Sequence, residues 1–124
     1  MSNWQRLQSA LPLIDTHQMQ QLEQQLGSAV VARLLGVFIQ EGQQQKTLLQ
    51  QAVMVGEYQA VARICHSLKS ACGSYGALRC QYLSEKLEAA CRQQQLDQIQ
   101  VLASAWLQAW GETLVLLEAP SNER

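Results

Sequence analysis

The stretch Val61-Ala62-Arg63-Ile64-Cys65-His66-Ser67-Leu68-Lys69-Ser70-Ala71-Cys72-Gly73-Ser74-Tyr75 has the clearest periodicity in the chain. Val61, Ile64, Cys65, Leu68, Cys72 and Tyr75 recur at the spacing of one face of a 3.6-residue helix. With Ile64 at the origin and about 100° per residue, the stripe centres near ~50° and His66 falls near ~200°, on the wet side. Ala62, Ser70 and Gly73 lie within about 40° of His66, and Lys69 about 60° away. The imidazole is thus expected to stand among small residues and one ammonium group. Glycine inside a helix costs about 1 kcal/mol relative to alanine. The reason expected for Gly73 is room for a large group to approach the ring.

The same helical pattern extends in both directions. Residues 1–13 read as a lead-in or linker segment with a short helix around Trp4 and Leu7, stopped near Pro12. Asp15 is a candidate N-cap for a short helix carrying Met19, Leu22 and Leu26, broken at Gly27-Ser28. A long helix follows, with Val31, Leu34, Leu35, Phe38, Leu49 and Ala52 inward, and Gly56 ends it. Beyond Gly76, Cys80, Leu83, Leu87, Ala90 and Cys91 define another helix. After the turn marked by Gln93–Gln95 and Asp97, Ile99, Leu102, Ala103, Trp106, Trp110, Thr113, Leu114 and Leu117 define the last, ending before Pro120. Four long amphipathic helices with short connections predict an all-α fold, an antiparallel up-down-up-down four-helix bundle with a short extra N-terminal helix. The bundle is expected over residues 14–119, with a tail at 120–124.

Composition narrows the function classes. The 124 residues carry nine Lys and Arg against ten Asp and Glu, a net charge of −1. Without a basic excess there is no phosphate-backbone grip on nucleic acid and no polybasic membrane-surface segment. No stretch approaches the ~18–20 apolar residues of a membrane span. Both prolines sit near the ends, and proline inside a helix costs about 3 kcal/mol. The 21 glutamines fall in short runs broken by apolar residues at helical spacing, as on solvated helix faces. Cys65, Cys72, Cys80 and Cys91 form no CxxC pair and read as reduced core thiols of a cytoplasmic protein. No nucleophile–base–acid set and no glycine-rich nucleotide loop is present. His66 therefore reads as a nucleophile whose chemistry is completed by a partner. Lys69 is placed to screen a phosphoryl group attached to it.

The run from Cys65 to Ala77, together with Leu87-Glu88, resembles the signature of histidine-containing phosphotransfer (HPt) domains: His-x-Leu-Lys followed by a small residue, Gly-Ala, and Leu-Glu at fixed spacing. Asp15, Leu22, Leu26-Gly27, Phe38, Leu48 to Ala52 and Gly56-Glu57 extend the likeness, which covers about residues 14–117. Ser70 stands where glycine is common, Cys80 where leucine is usual and Ser84 where cysteine is usual.

The resemblance implies a phosphorelay intermediate in two-component signalling. His66 would take a phosphoryl group from one receiver-domain aspartate and pass it to another. Lys69 would be the neighbouring cation, and Glu88 would orient the imidazole through Nδ1, leaving Nε2 free. Ala62, Arg63, Ser70 and Gly73 would belong to the docking surface, beside an apolar patch drawn from the first two helices. The implied partners are response-regulator receiver domains and a hybrid sensor kinase, met by a monomer, with no cofactor of its own and Mg²⁺ supplied by the receiver. Both a free-standing protein and the C-terminal domain of a hybrid kinase fit, and no ATP-binding domain fits in this length. The alternatives are a helical adaptor that is never phosphorylated and a metal- or haem-binding bundle in which His17 or the cysteines meet His66. His17 itself reads as structural or solvent-exposed, and Trp106 and Trp110 as core packing.

Overall fold

The computed structural model describes residues 3–118. They form six helices: α1 (Asn3–Ala10), α2 (Thr16–Leu26), α3 (Ser28–Val55), α4 (Tyr58–Ser74), α5 (Leu78–Arg92) and α6 (Leu96–Leu117). The tail expected at 120–124 lies outside the described residues.

Helices α3 to α6 make the bundle. Each packs on its neighbour in sequence, and α3 also packs on α6, which closes the ring. Connections of two or three residues force successive helices to reverse direction. Cross-helix contacts bear this out for α5 and α6, because Cys80 meets Thr113 while Ser84, one turn on, meets Trp106. At about 1.5 Å per residue α3 is about 42 Å long and α4 about 26 Å, so α3 overhangs its neighbour. Helix α2 also packs on α3.

The sequence pattern accounts for each boundary. Asp15 caps α2, its carboxylate accepting from the Gln18 backbone N–H at 3.1 Å. Gly56 ends α3 at φ +75°, the left-handed conformation glycine adopts without a Cβ penalty. Gly76, at φ +72°, makes the turn after α4, where Asp15 N–H donates to its carbonyl at 2.7 Å. A Cβ on Gly76 would crowd Asp15 and the Gln18 amide.

The core is built from Phe38, Leu49, Val61, Cys65, Leu68, Cys72, Leu83, Leu87, Ile99, Trp106 and Trp110, among others. Four expectations are adjusted. Leu34 faces solvent, and α2 contributes only half-buried positions. Ile64 and Tyr75 flank the core rather than enter it. The lead-in segment is packed in place: α1 lies along α5, Trp4 Nε1 donates to Gln98 Oε1 at 3.0 Å, and Arg79 Nη2 donates to the Leu11 carbonyl at 2.6 Å.

The residues at two departures from the family signature are packed inside. Ser84 Oγ donates to the Cys80 carbonyl and accepts from Trp106 Nε1 at 2.9 Å, so the hydroxyl satisfies a buried indole. Trp106 and Trp110 stack with centroids 5.6 Å apart. Gly42 of α3 lies against the Trp110 ring, which a Cβ there would overlap. At Gly36, on the outer side of the same helix, a Cβ would meet nothing. Urea denaturation checks this contrast. Gly42→Ala is expected to destabilise the bundle by about 1–3 kcal/mol through overpacking. Gly36→Ala is expected to stabilise it by about 0.5–1 kcal/mol through helix propensity.

Candidate functional site

Helices α4 and α5 form the most extensive pair in the bundle. Small side chains line the seam. Cys72 lies near Cys80 across it, Cys65 lies near Cys91, and Gly73 meets the Gln81 side chain. Close approach puts Glu88 of α5 within reach of His66 and Lys69 of α4.

The imidazole side chain is well exposed, at 62% of its area, while the Glu88 side chain retains only 12%. His66 Nδ1 lies 3.1 Å from Glu88 Oε2. An ionised carboxylate has no proton to give, so Nδ1 is the donor and Nε2 of the neutral ring keeps a free lone pair. Lys69 Nζ sits 3.5 Å from Glu88 Oε1. Arg92 Nε donates to Oε2 at 3.1 Å from one turn further along α5. Desolvation acts to raise the Glu88 pKa. The hydrogen bonds from Arg92 and His66 and the Lys69 charge outweigh it, and the group sits below the ordinary carboxylate value.

The structure brings His66, Lys69 and Glu88 together, leaves Arg63 and Ser70 exposed nearby on α4, and alters two other assignments. Ala62, expected on the docking surface, is 2% exposed and belongs to the core cluster. A helix clasped by two neighbours buries a wider arc than its apolar stripe alone indicates. Gly73 is half-buried, and a Cβ there would approach Gln81 Nε2 to 2.8 Å. Its carbonyl accepts from Gln18 Nε2 of α2, also at 2.8 Å. A Cβ at Gly73 would displace the end of the Gln81 side chain of α5.

Arg92 was missed by the sequence reading. Its signal was the Glu88–Arg92 spacing of four, the helical ion-pair spacing. The apolar residues exposed on α2 and α3 are Leu26, Leu34, Val37, Leu48, Met54 and Val55.

The remaining candidates stand elsewhere. His17 is an exposed residue of α2. The four cysteines are free and buried. Burial pushes the Cys91 thiol up to about 11 and Cys65 higher still, and the Cys80 hydrogen bond together with burial does the same for Cys72. These three are protonated packing groups at neutral pH. Among the described residues, no three His, Cys, Asp or Glu side chains are grouped to hold a metal ion, and no helix is long and apolar enough to cross a membrane. Trp106 and Trp110 are sealed in the core, with no face free for a ligand.

A depressed carboxylate pKa contributes stability that is present above the unfolded-state value, near 4.5, and is lost as pH falls through the folded-state value. Wild-type protein should therefore lose more stability than Glu88→Gln on acidification below about 4.5, as read by denaturation midpoints across pH. Nitrogen NMR of the His66 ring gives a second check. Wild-type protein should hold the Nδ1–H tautomer at neutral pH, and Glu88→Gln should shift the population toward Nε2–H.

The comparisons with known proteins agree with the helical-bundle fold. The sequence model of the Hpt domain matches residues 33–118. The crystal structure of histidine-containing phosphotransfer protein B (HptB) from Pseudomonas aeruginosa PAO1 aligns with a TM-score of 0.81 at 20% identity, covering 88% of this chain and 94% of that one. No curated protein matches at a significant level. An Hpt match over more than half of the sequence, on a closed bundle of the same fold, makes this chain a member of the Hpt domain family.

Proposed function

We propose that His66 is the phosphoacceptor of this phosphorelay domain, with Lys69 as the charge-screening cation and Glu88 as the group that orients the imidazole. Hpt domains carry phosphoryl groups in phosphorelay signalling, working with receiver domains and kinases. The observation that carries the residue assignment is the exposed imidazole whose Nδ1 is held by a largely buried carboxylate, leaving Nε2 to face solvent.

The chemistry follows from that arrangement. The Nε2 lone pair attacks the phosphorus of a receiver's aspartyl phosphate. The P–N bond forms as the P–O bond breaks, and the aspartate leaves as a carboxylate. The Nδ1 proton stays in its hydrogen bond to Glu88, which balances the positive charge gained by the ring. Onward transfer reverses the events, with the next aspartate attacking phosphorus and the electron pair returning to Nε2. Lys69 offers its ammonium to the phosphoryl oxygens, and Arg92 keeps the carboxylate in place when Lys69 turns away from it.

The divalent cation of the reaction is assigned to the receiver. The site around His66 offers one carboxylate already taken by three donors, a poor set for Mg²⁺, which prefers several oxygens. The receiver's footprint is assigned to the exposed face of α4 with Arg63 and Ser70, together with Leu26, Leu34, Val37 and Leu48 of α2 and α3. The proposed compartment is the cytoplasm, in keeping with four buried free thiols.

Incubation with a phosphorylated, Mg²⁺-loaded receiver should put acid-labile, base-stable label on the wild-type chain and none on His66→Gln. Label persisting in that variant would overturn the assignment. Lys69→Ala should keep the helical circular dichroism spectrum and slow transfer by about tenfold, equivalent to about 1.4 kcal/mol of barrier. Unchanged quench-flow kinetics would remove Lys69 from the mechanism.

A further inference from the structure

We propose that Glu88 sets how readily the phosphoryl group leaves His66, because its negative charge keeps the Nδ1 proton on the phosphorylated ring. This rests on the reading of His66 as the phosphoacceptor. It adds to the orienting role of Glu88, for which a neutral hydrogen-bond acceptor would suffice.

The leaving group explains why the proton matters. In onward transfer an aspartate oxygen attacks phosphorus, an O–P bond forms, the P–N bond breaks and its electron pair returns to Nε2. With Nδ1 protonated, the ring leaves as neutral imidazole. With Nδ1 bare, it must leave as an imidazolate anion, a far poorer leaving group. Hydrolysis obeys the same rule, with water as the nucleophile and inorganic phosphate as the product.

The charges around the ring favour the protonated form. Glu88 Oε2 lies 3.1 Å from Nδ1, on a largely buried side chain. An opposite charge within ~4–6 Å favours a charged form by about 1–3 pH units. The open outer face of the ring puts this site at the lower end of that range. Lys69 and Arg92 oppose the ring proton, yet both are paired to the carboxylate, with Lys69 Nζ 3.5 Å from Oε1 and Arg92 Nε 3.1 Å from Oε2. Glu88 sits below the ordinary carboxylate value and is ionised across the neutral range.

The other titratable groups on the packed elements leave this pairing intact. The Cys65 and Cys91 thiols on the inner side are protonated at neutral pH. Arg63 of α4 and Glu85 of α5, one turn before His66 and Glu88, are exposed. Among the described residues, Arg33, Glu41 and Lys46 of α3 form no ion pair with the group. A phosphoryl group brings a charge of about −1.5 to −2. Two cations and a protonated ring then face Glu88 and the phosphoryl group, so the loaded site is nearest to neutral with the ring proton in place.

The neutral variant Glu88→Gln keeps an acceptor and removes the charge. Wild-type, Glu88→Gln and His66→Gln proteins are treated with phosphoramidate, a small donor that needs no docked protein, and phosphorus NMR follows the label. Loaded proteins are then held between about pH 6 and 9, alone or with a Mg²⁺-loaded receiver. Phosphohistidine lifetime should lengthen with rising pH as the ring loses its proton, and in Glu88→Gln this rise should come about one pH unit lower than in wild type. Above the transition, the variant's phosphohistidine should last about tenfold longer and pass to the receiver about tenfold more slowly. Towards about pH 6, where either ring is protonated, both ratios should fall below about twofold. A ring merely misplaced by the substitution would slow transfer by the same factor at every pH. Coincident lifetime profiles, or slowing that does not change with pH, would overturn the role of the charge and leave the phosphoacceptor reading standing. Label absent from wild-type protein, or present on His66→Gln, would overturn both.

Discussion

The separation of α4 and α5 governs everything that happens at His66. Helices pack 8–10 Å apart according to the side chains at their contact. Here the contact is made by thiols, alanines and a glycine, with Cys65, Cys72 and Gly73 on one side and Cys80, Ala90 and Cys91 on the other. The cysteines serve as small, soft apolar residues. Larger side chains would push α5 outward and carry Glu88 out of reach of the imidazole. A seam without surface chemistry thus sets the geometry of the exposed group.

Glu88 turns that proximity into chemical readiness. Its carboxylate is shielded enough for its hydrogen bonds to be strong, and three donors converge on it. One of them, His66, is thereby fixed in a single tautomer. The other two are permanent cations one turn away on either helix, so the carboxylate remains ionised and keeps its acceptor role. The imidazole itself stays in water, open to a partner. Shielding the carboxylate while exposing the imidazole divides the site along the boundary between core and solvent.

Much of this was legible in the sequence because helical periodicity is local. The stripe on α4 fixes which side His66 faces, and Asp15, Gly56 and Gly76 mark turns through backbone requirements that do not depend on the rest of the fold. The family signature brought Glu88 in from the next helix. What escaped depends on how helices clasp one another. Ala62 lies only 40° from His66 on an isolated wheel, yet packing on both sides of α4 buries it. Gly73 lies on the wet side of the same wheel, yet it is half-buried beside the Gln81 side chain of α5. Arg92 carried a local signal, its spacing from Glu88, which became meaningful only once Glu88 was seen to meet His66.

The packing of α1 bears on the order in which the chain assembles. Most contacts of the bundle join helices adjacent in sequence, and such local topologies fold quickly because little chain entropy is lost at each closure. The hydrogen bond from Trp4 to Gln98 spans 94 residues, and α1 has no fully buried residue to reward an early closure. No residue of this helix is buried, so little apolar contact opposes its local opening. The N-terminal segment is a latch laid over the bundle, held by Trp4 at Gln98 of α6 and through the Leu11 carbonyl at Arg79 of α5.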